Sequence, residues 1–599
     1  MTFDELDRLL AGAPAALGYL GVTTPRGERS YVLGPRTAVD EVPPMVDWRT
    51  APLAGVFFRH GPGEPYELDT GAVATEGRVI ERYVLVGRGT LQAAVSDERE
   101  RTATGDRATL RPAPARMPPR DRNVLPVLDP EQQHAADLPP NRSLVLDGEA
   151  GVGKTLVALF RLARLEKRAK ERGQRFRPLV LVPTEGLRRL VRLISDRLGI
   201  GRVEIAVLDD WMLERAMTAF SGLPKRTSES ATAQVIALKR HPAVRAVLRD
   251  FVGWKPPRGV DDDKISKTRR RLLHLWGDRD RLLRVIAASG DQLPPRAIDA
   301  AMKHTRAQFQ STTESTHQHV DAERLVALDG KRLDSGTPMQ DAHTFDLEDV
   351  PILFELARLG ALKAEPLPLY DHIVIDEAQL RAPLELAAIG DALDEYGTIT
   401  LAGDHRQATD ESAWFTGWDA ARTELAREHW TEVTLSVTYR SVPAIGTLAR
   451  EIVERAPRPL PPLPPPDPAV WATPHASAFA QAAALCWHLD ALVARDPWRQ
   501  ICVIARTPEH ARRLHAELGR GLDPVLVLDG DFRFEPGIIV TTAASVSGLE
   551  FDAVVIPDLT PAFWPATPEL ARSLYVAATR ARDFLWLLTP DAWTPLLGG

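Results

Sequence analysis

A chain of 599 residues is too long to be built around one hydrophobic core, so several domains are expected. Its composition, 44% hydrophobic and 26% charged, is that of an ordinary soluble globular protein. The formal net charge of −7 argues against a uniformly basic nucleic-acid binder, so any basic surface must be local.

The two cysteines, Cys486 and Cys502, lie in apolar patterns without metal-ligand spacing. We therefore expect buried thiols, no disulfide framework and no structural metal, which suits a reducing cytoplasm. The amino terminus lacks the basic start and apolar run of a signal peptide, and no stretch reaches about 18 uncharged apolar residues. A cytoplasmic protein without a membrane segment is expected.

Residues 1–120 are predicted to form a small, mostly β module. A short acidic helix is followed by strand-like patterns in five segments. These segments are 18–22, 30–33, 55–59, 79–86 and 91–95. The pattern alone assigns no function to this module, and a packing or docking platform is the simplest interpretation.

Residues 143–147 have the pattern of a buried strand, and residues 148–155 fit the phosphate loop G-x-x-x-x-G-K-[ST], followed by helical spacing. In this arrangement backbone N–H groups and a helix N-terminus converge on phosphates. Lys154 would reach the β- and γ-phosphates, and Thr155 would bind Mg²⁺. The predicted nucleotide contacts are Gly148, Glu149, Ala150, Gly151, Val152, Gly153, Lys154, Thr155 and Leu156.

Gln132 lies just upstream of this strand, in a segment that begins Asp129-Pro130. Its amide offers a donor and an acceptor together, which suits the edge of an adenine. The alternative is ordinary capping of a first helical turn, where Glu and Gln are common.

A later apolar strand ends in Asp376 and Glu377. Adjacent carboxylates opposite a phosphate loop favour phosphoryl transfer, because the first can position Mg²⁺ and the second can accept the proton of the attacking water. The following strand, 398–402, leads to Gln407, which could sense the γ-phosphate.

Residues 211–368 show helical spacing and proline breaks instead of strand patterns. Residues 225–306 hold 19 Lys/Arg and 9 Asp/Glu, an excess of 10 positive charges. The densest group contains Lys264, Lys267 and Arg269. Two interpretations stay open: a solvated helix face, or a surface that follows nucleic-acid phosphates.

The proline-rich segment 457–470 is predicted to be a stiff connector between two lobes. Residues 471–599 then repeat the alternation of strands and helices, which predicts a second parallel sheet. The first lobe would comprise 121–210 and 369–456, with 211–368 as its helical insertion. Arg580 in the second lobe could act as an arginine finger on the first.

Taken in order from Leu128 to the carboxyl end, these segments resemble UvrD-type helicases of superfamily 1. The resemblance implies an α/β fold with two RecA-like lobes that close on ATP and move along one nucleic-acid strand, usually 3′→5′. It assigns catalytic or metal roles to Lys154, Thr155, Asp376 and Glu377, as the residues themselves suggest.

Six further ATP contacts follow from the resemblance by position. They are the adenine-reading Gln132, the γ-phosphate sensor Gln407, the adenine-stacking Tyr439, the ribose-binding Glu550, and the arginine fingers Arg440 and Arg580.

Within this group the chain resembles the HelD and DNA helicase IV branch, through residues 18–21, 46–52 and the pair Phe57-Phe58. HelD-type members bind RNA polymerase and use ATP to release it from stalled complexes. The long amino-terminal coiled coil of that branch and the large second-lobe insertion of UvrD-type helicases have no counterpart in this sequence.

The chain departs from the UvrD-type pattern at positions that face the nucleic-acid strand. Asp410, Ser412 and Ala413 stand where that family has a Tyr and a Trp-Arg, with aromatic residues slightly later. Ala544 and Ser547 replace a His and a Lys in the motif of Glu550.

The expected function is ATP hydrolysis, with Mg²⁺, coupled to movement on single-stranded or partly duplex DNA in repair or transcription-associated work. One alternative is a HelD-like ATPase that remodels or recycles RNA polymerase without unwinding a duplex. The other is an ATPase switch that binds nucleic acid but does not move.

Overall fold

The computed structural model describes residues 1–69, 74–87, 89–97, 99–108, 128–149, 151–228, 230–254, 266–290, 292–321, 324–326, 332–333, 338–407, 410–435, 442–455 and 469–597. The chain forms two compact units. The terminal unit comprises Met1–Val124 and Thr438–Gly599, and the phosphate-loop unit comprises Leu125–Val437. Ala150, Lys264, Tyr439, Arg440 and most of the predicted connector lie outside the described residues.

The amino-terminal part of the terminal unit is a mainly antiparallel sheet in the order β3-β2-β1-β5-β6-β7-β8, with β4 paired to β5. Its strands are β1 (Gly18–Thr24), β2 (Gly27–Gly34), β3 (Met45–Asp47), β4 (Pro65–Asp69), β5 (Ala74–Gly87), β6 (Leu91–Val95), β7 (Arg99–Thr102) and β8 (Gly105–Ala108). Its helices are α1 (Phe3–Gly12) and α2 (Pro52–Arg59). Thr2 and Glu5 form a capping box at the start of α1.

The strand predicted at 55–59 is wrong, because these residues lie in α2. Pro52 occupies the first turn, where its missing N–H costs no hydrogen bond. Phe57 and Phe58 both pack on Phe479, with ring centroids 5.3 and 5.8 Å apart. A strand would turn two successive side chains to opposite faces, whereas a helix lets both reach one broad apolar surface.

The amino-terminal sheet and the carboxyl-terminal segment share one hydrophobic core. Trp48 and Phe57 lie in this core together with Phe479 and Trp487. The rings of Trp48 and Phe479 meet edge to face, 5.4 Å apart. Residues from both ends of the chain therefore stabilise the same unit.

The phosphate-loop unit contains a parallel sheet in the order β11-β10-β12-β13-β9-β14. Its strands are β9 (Ser143–Gly148), β10 (Pro178–Val182), β11 (Glu204–Val207), β12 (Tyr370–Ile375), β13 (Leu393–Gly403) and β14 (Trp430–Leu435). The central strands are buried and apolar, as strands covered on both faces should be.

Helices cover this sheet and form the segment between β11 and β12. They are α3 (Pro130–Asp137), α4 (Lys154–Glu171), α5 (Glu185–Arg197), α6 (Leu208–Ala219), α7 (Ala233–Arg240), α8 (Val244–Phe251), α9 (Lys267–Trp276), α10 (Arg279–Ala288), α11 (Arg296–Gln308), α12 (Thr313–Thr316), α13 (Asp349–Arg358), α14 (Pro383–Gly390) and α15 (Trp418–Leu425). The helical spacing of 211–368 thus corresponds to helices α6–α13.

Part of the basic excess in this segment is internal. Lys239 is fully buried, and its ammonium group donates to Asp346 and Asp349 at 2.5 and 2.7 Å. Burial alone would lower the pKa of Lys239, but the two carboxylates more than offset this and raise it. Arg269, from the densest basic group, is also buried and donates to the carbonyl of Gln308 at 3.0 Å. The sequence count therefore overstates the charge that this segment presents to solvent.

The carboxyl-terminal part of the terminal unit has a second parallel sheet, in the order β15-β20-β19-β16-β18-β17. Its strands are β15 (Val470–Pro474), β16 (Gln500–Ala505), β17 (Val525–Leu526), β18 (Gly537–Thr542), β19 (Phe551–Ile556) and β20 (Ala581–Thr589). Its helices are α16 (Pro443–Arg455), α17 (Ala478–Arg495), α18 (Pro508–Leu518) and α19 (Pro568–Thr579).

The structure is thus mixed α/β, with parallel sheets flanked by helices as predicted. That both sheets belong to RecA-like lobes stays a prediction. Cys486 and Cys502 are buried free thiols. Among the helices of the described ranges, none is long and apolar enough to cross a membrane.

Candidate nucleotide-binding site

The phosphate loop connects β9 to α4 through a backbone that requires glycine. Gly151 and Gly153 have φ values of +81° and +85°, in the left-handed region that other residues rarely adopt. Gly153 is the N-cap of α4 and supplies no side-chain cap. The first N–H groups of α4 therefore stay available for an anion at the positive end of the helix dipole.

Gly148 lets the loop approach its neighbours closely. A Cβ atom at this position would lie 2.8 Å from the carbonyl oxygen of Leu435 and 2.9 Å from a methyl carbon of Val152. Real Cβ atoms do not approach so closely, so a side chain here would push the loop away from β14.

Lys154 is the first residue of α4, and its side chain folds back over the loop. Its ammonium group donates to the carbonyl oxygens of Gly148 and Glu149, at 2.8 and 3.0 Å. The side chain is largely buried. The positive charge is therefore held above the loop by backbone oxygens, next to the N–H groups that would meet a phosphate.

Gln132 joins α3 to the phosphate loop. It forms a capping box with Asp129, in which the N–H of Asp129 donates to Oε1 of Gln132 at 3.1 Å. Its Nε2 donates to the carbonyl oxygen of Val152 at 2.9 Å. Gln132 therefore caps the first turn of α3, as the alternative interpretation predicted, and its amide also fixes the position of the phosphate loop. Adenine recognition by Gln132 stays a prediction.

Asp376 follows β12 and contacts the phosphate loop directly. The hydroxyl of Thr155 donates to its carboxylate at 2.7 Å. The next residue, Glu377, is also buried, and its φ of +51° is rare for a residue with a side chain. Such backbone strain persists only where the surrounding structure enforces it, and it concentrates at functional sites.

Burial, together with the negative charge of Glu377, raises the pKa of Asp376 to about 7, while hydrogen bonding by Thr155 and the charge of Lys154 oppose the rise. A divalent cation would relieve the repulsion between the two carboxylates. The hydroxyl of Thr155 and the carboxylate of Asp376 are oxygen ligands of the kind that Mg²⁺ prefers. The donor set therefore fits Mg²⁺.

Gln379 was not among the predicted site residues, but it connects the two strand ends. Its Nε2 donates to the carboxylate of Glu377 at 2.6 Å, and its Oε1 accepts from the N–H of Asp404 at 3.3 Å. A Cβ atom at Gly403 would lie 2.2 Å from Oε1 of Gln379, so a side chain there would displace this amide. The sequence offered one signal for Gln379: its side-chain amide comes two residues after Glu377, at the end of a buried strand.

A hydrogen bond and an ion pair tie the flank of the phosphate loop to the turn that contains Gln407. His405 contacts Asp147 at 3.0 Å, and Arg406 donates to Glu149 at 2.6 Å. Neither contact could be predicted from the sequence, because the partners lie far apart in the chain. The backbone of Gln407 follows directly in the same short turn.

Two other predicted ATP contacts lie in the described part of the terminal unit. Arg580 is buried at the end of α19, where its guanidinium group donates to the carbonyl oxygens of Val576 and Leu549 at 3.0 and 3.3 Å. Glu550 lies half-buried between β18 and β19. The finger role of Arg580 and the ribose-binding role of Glu550 stay predictions.

The structure thus gathers Gln132, Lys154, Thr155, Asp376 and Glu377 around one edge of a parallel sheet, at the carboxyl ends of its strands. This is the edge at which open α/β sheets bind ligands. Glu550 and Arg580 belong to the terminal unit, and Ala150, Tyr439 and Arg440 lie outside the described residues.

Comparison with known proteins adds one family match. Residues 537–588, from β18 to β20, match the UvrD-like helicase C-terminal domain. A solved structure, the C-terminal domain of a possible DNA helicase from Lactobacillus plantarum WCFS1, is 23% identical, with a TM-score of 0.22, over 27% of this chain and 92% of that chain. No match was found among curated proteins. The family match confirms the predicted UvrD-type resemblance for residues 537–588, whereas the likeness to the HelD branch stays a prediction.

Proposed function

We propose that this protein is a Mg²⁺-dependent ATP hydrolase of the DNA helicase type that moves along single-stranded DNA, in the 3′→5′ direction. The observation that carries the proposal is the hydrogen bond between Thr155 and Asp376, which joins the phosphate loop to the carboxylates. The UvrD-like match of residues 537–588 supports a helicase-type function.

The phosphate loop binds the triphosphate of ATP. Backbone N–H groups at the start of α4 donate to the phosphate oxygens. Lys154 exchanges the carbonyl oxygens of Gly148 and Glu149 for phosphate oxygens, with which a charged amine forms stronger hydrogen bonds. Gln132 keeps the loop in this shape through its contact with Val152.

Thr155 and Asp376 would hold a Mg²⁺ ion through their side-chain oxygens. When bound, the ion would supply positive charge against the negative charge that develops during phosphoryl transfer. Metal binding would require the ionised form of Asp376, which the burial of this carboxyl and the charge of Glu377 disfavour in the free protein.

Glu377 accepts the proton of the attacking water. Gln379 donates to one carboxylate oxygen of Glu377 at 2.6 Å and so fixes the plane of the carboxylate. The other carboxylate oxygen is left to orient the water. Gln379 also bonds the backbone of Asp404, so the base is aligned with the strand end that precedes Gln407.

Exposed basic side chains of the helical segment supply contacts to the DNA strand. Several of them have no ion pair among the described residues, including Lys225, Arg249, Lys267, Arg296, Lys303 and Arg306. The last three lie on α11 at spacings of seven and three residues, which places them on one face of that helix. A stripe of this kind can follow the phosphates of one strand.

Steady-state ATP hydrolysis with and without single-stranded DNA, at low and moderate salt, tests this proposal. We expect hydrolysis that DNA stimulates, and stimulation that fades as salt rises, because phosphate contacts release counterions. Lys154→Ala should abolish turnover. Fast hydrolysis that does not depend on DNA would contradict the proposed movement along single-stranded DNA. A protein partner such as RNA polymerase would then be tested.

A further inference from the structure

Helix α7 ends at Arg240, whose guanidinium group contacts two turns of the phosphate-loop unit. One nitrogen, Nη1, donates to Asp410 at 2.5 Å and to the hydroxyl of Ser412 at 2.8 Å. The other, Nη2, donates to the carbonyl oxygen of Leu380 and to Glu385, both at 3.2 Å. We call these five residues the Arg240 cluster.

The two turns follow the strands that carry the predicted ATP-site residues. Leu380 closes the turn Ala378–Leu380, which begins directly after Glu377. Asp410 is the N-cap of the turn Glu411–Ala413, three residues beyond Gln407. One side chain of the helical segment therefore connects the segment after the general base to the segment after the γ-phosphate sensor.

The cluster is a strong and largely buried ion-pair network. The side chain of Arg240 is 11% exposed. Burial alone would lower the pKa of Arg240, but the charges of Glu385 and Asp410 more than offset this and raise it. Burial would likewise raise the pKa of Asp410, yet the charge of Arg240 and hydrogen bonds from Ser412 lower it. Both partners are therefore ionised at neutral pH. Removing Arg240 would leave the charge of Glu385, whose side chain is 12% exposed, poorly solvated.

Helix α7 holds the second turn at two more points. The indole N–H of Trp414 donates to the carbonyl oxygen of Ala237 at 2.9 Å. The ring of His241, the residue after Arg240, meets Trp414 edge to face at 4.3 Å. A displacement of α7 would therefore displace this turn with it.

We propose that Arg240 is a positioning residue for ATP hydrolysis, which holds the turns after Glu377 and Gln407 in a fixed relation to α7. Through it the helical segment sets the orientation of Glu377 and Gln379, and so the rate of hydrolysis. This inference rests on the proposed ATP hydrolysis. It adds that the helical segment controls the rate of that hydrolysis.

Arg245 provides a matched control. It lies on α8, its side chain is 20% exposed, and it pairs with Glu424 at 2.6 Å and with Glu355 at 3.2 Å. These partners lie on α15 and α13. Arg245 thus resembles Arg240 in charge, pairing and burial, but its ion pairs reach neither turn.

The test compares Arg240→Lys with Arg245→Lys by two measurements on the full chain. A lysine keeps the charge, but its single ammonium group cannot reach all the acceptors of the Arg240 cluster together. We expect Arg240→Lys to lower kcat for ATP about tenfold and to leave KM within about twofold, as misplacement of a catalytic group does. Without nucleotide, backbone amides of 378–381 and 411–414 should exchange hydrogen faster together in this variant. Arg245→Lys should show neither effect.

A second variant, Asp410→Asn, should lower kcat in the same direction while the contacts of Arg240 to Leu380 and Glu385 persist. Equal losses of kcat in the Arg240→Lys and Arg245→Lys proteins would overturn the inference, as would unchanged kcat and exchange in Arg240→Lys. A wild-type protein that hydrolyses no ATP would refute the proposed function instead. In that case the exchange of the two turns would still decide whether Arg240 positions them.

Discussion

Asp376 and Glu377 place two carboxylates side by side with little access to water. Burial and mutual repulsion disfavour the ionised form of Asp376 and raise its pKa to about 7. In the unfolded chain the same group ionises near its ordinary value of 3.8. Folding therefore costs free energy as the pH rises above about 4, where the unfolded chain ionises this carboxyl, and the cost is largest above about 7. Mg²⁺ binding would recover it.

Asp376→Asn should raise the thermal stability of the protein free of nucleotide and Mg²⁺ by several degrees at pH 8. A carboxyl whose pKa is raised by folding favours the folded state most at low pH. That contribution is lost as the pH rises from about 4 through about 7. Asparagine carries no charge, so the gain in Tm should shrink as the pH falls from 8 to 5. A gain independent of pH would contradict the raised pKa.

The same substitution offers an internal control. Saturating Mg²⁺ with a non-hydrolysable ATP analogue should stabilise the wild type strongly, because the ligands bind only the folded state. The Asp376→Asn protein should gain less, since it has lost a cation ligand.

Gln379→Ala should lower kcat about 10–100-fold, the usual effect of removing a group that orients a ligand or base, with KM for ATP within about twofold. The substitution removes the donor to Glu377 and the acceptor for the N–H of Asp404. Gln133→Ala is a suitable control, because Gln133 bonds Asp137 within the same exposed helix turn. Unchanged turnover in Gln379→Ala would show that Glu377 needs no partner.

Among the individual site residues, the sequence predicted those that lie close together in the chain. Lys154 and Thr155 are recognisable because the phosphate loop is one continuous segment that ends in a helix. Gln379 and Arg240 escaped notice, since each acts through partners that only the tertiary structure brings close. A sequence motif shows which residues are neighbours in the chain. It does not show which loops become neighbours when the strands assemble into a sheet.

The strands were the most predictable elements. Parallel strands buried on both faces appear in the sequence as short apolar runs, as in β10 and β12. Helix α2 was mistaken for a strand because its eight residues contain adjacent apolar side chains, which suit a buried strand as well as a short helix. Tertiary packing on Phe479 decided between the two.

The helical segment shows why counting charged residues in a sequence predicts poorly how much charge is exposed to solvent. The sum over residues 225–306 treats Lys239 and Arg240 as surface charges, yet both pair with carboxylates from distant parts of the chain. Their partners Asp346 and Glu385 lie beyond the counted window. Helix α11 presents its basic residues to solvent and is therefore the better guide to strand contact.

Replacing Arg296, Lys303 and Arg306 together by glutamine should weaken binding of single-stranded DNA and reduce its salt dependence. Each lost phosphate contact lowers the slope of log Kd against log salt concentration by about 0.7, so a loss of about 2 is expected. Titration of labelled DNA at four salt concentrations measures the slope. The double variant Arg279→Gln, Arg284→Gln is the control, because these arginines are exposed but paired with Asp299 and Asp250. An equal change in both proteins would contradict a specific role of α11.

In the whole molecule, the candidate nucleotide-binding site and the segment that matches the helicase family lie in different units. The phosphate loop, Asp376 and Glu377 belong to the phosphate-loop unit, while residues 537–588 belong to the terminal unit. Glu550 and Arg580 also belong to the terminal unit, and their contact with ATP stays a prediction of the resemblance. The amino-terminal sheet stabilises the terminal unit through the core around Phe57 and Phe479.

The central claim is that ATP is hydrolysed at the edge of the sheet where Thr155 meets Asp376. Single-turnover hydrolysis of ATP by the wild type and by Glu377→Gln, with ATP binding measured in the same samples, tests it most directly. The wild type should bind and hydrolyse ATP only with Mg²⁺. Glu377→Gln should bind ATP as tightly but hydrolyse it at least about 100-fold more slowly, since glutamine cannot accept the proton. Hydrolysis at the wild-type rate in Glu377→Gln would contradict the account.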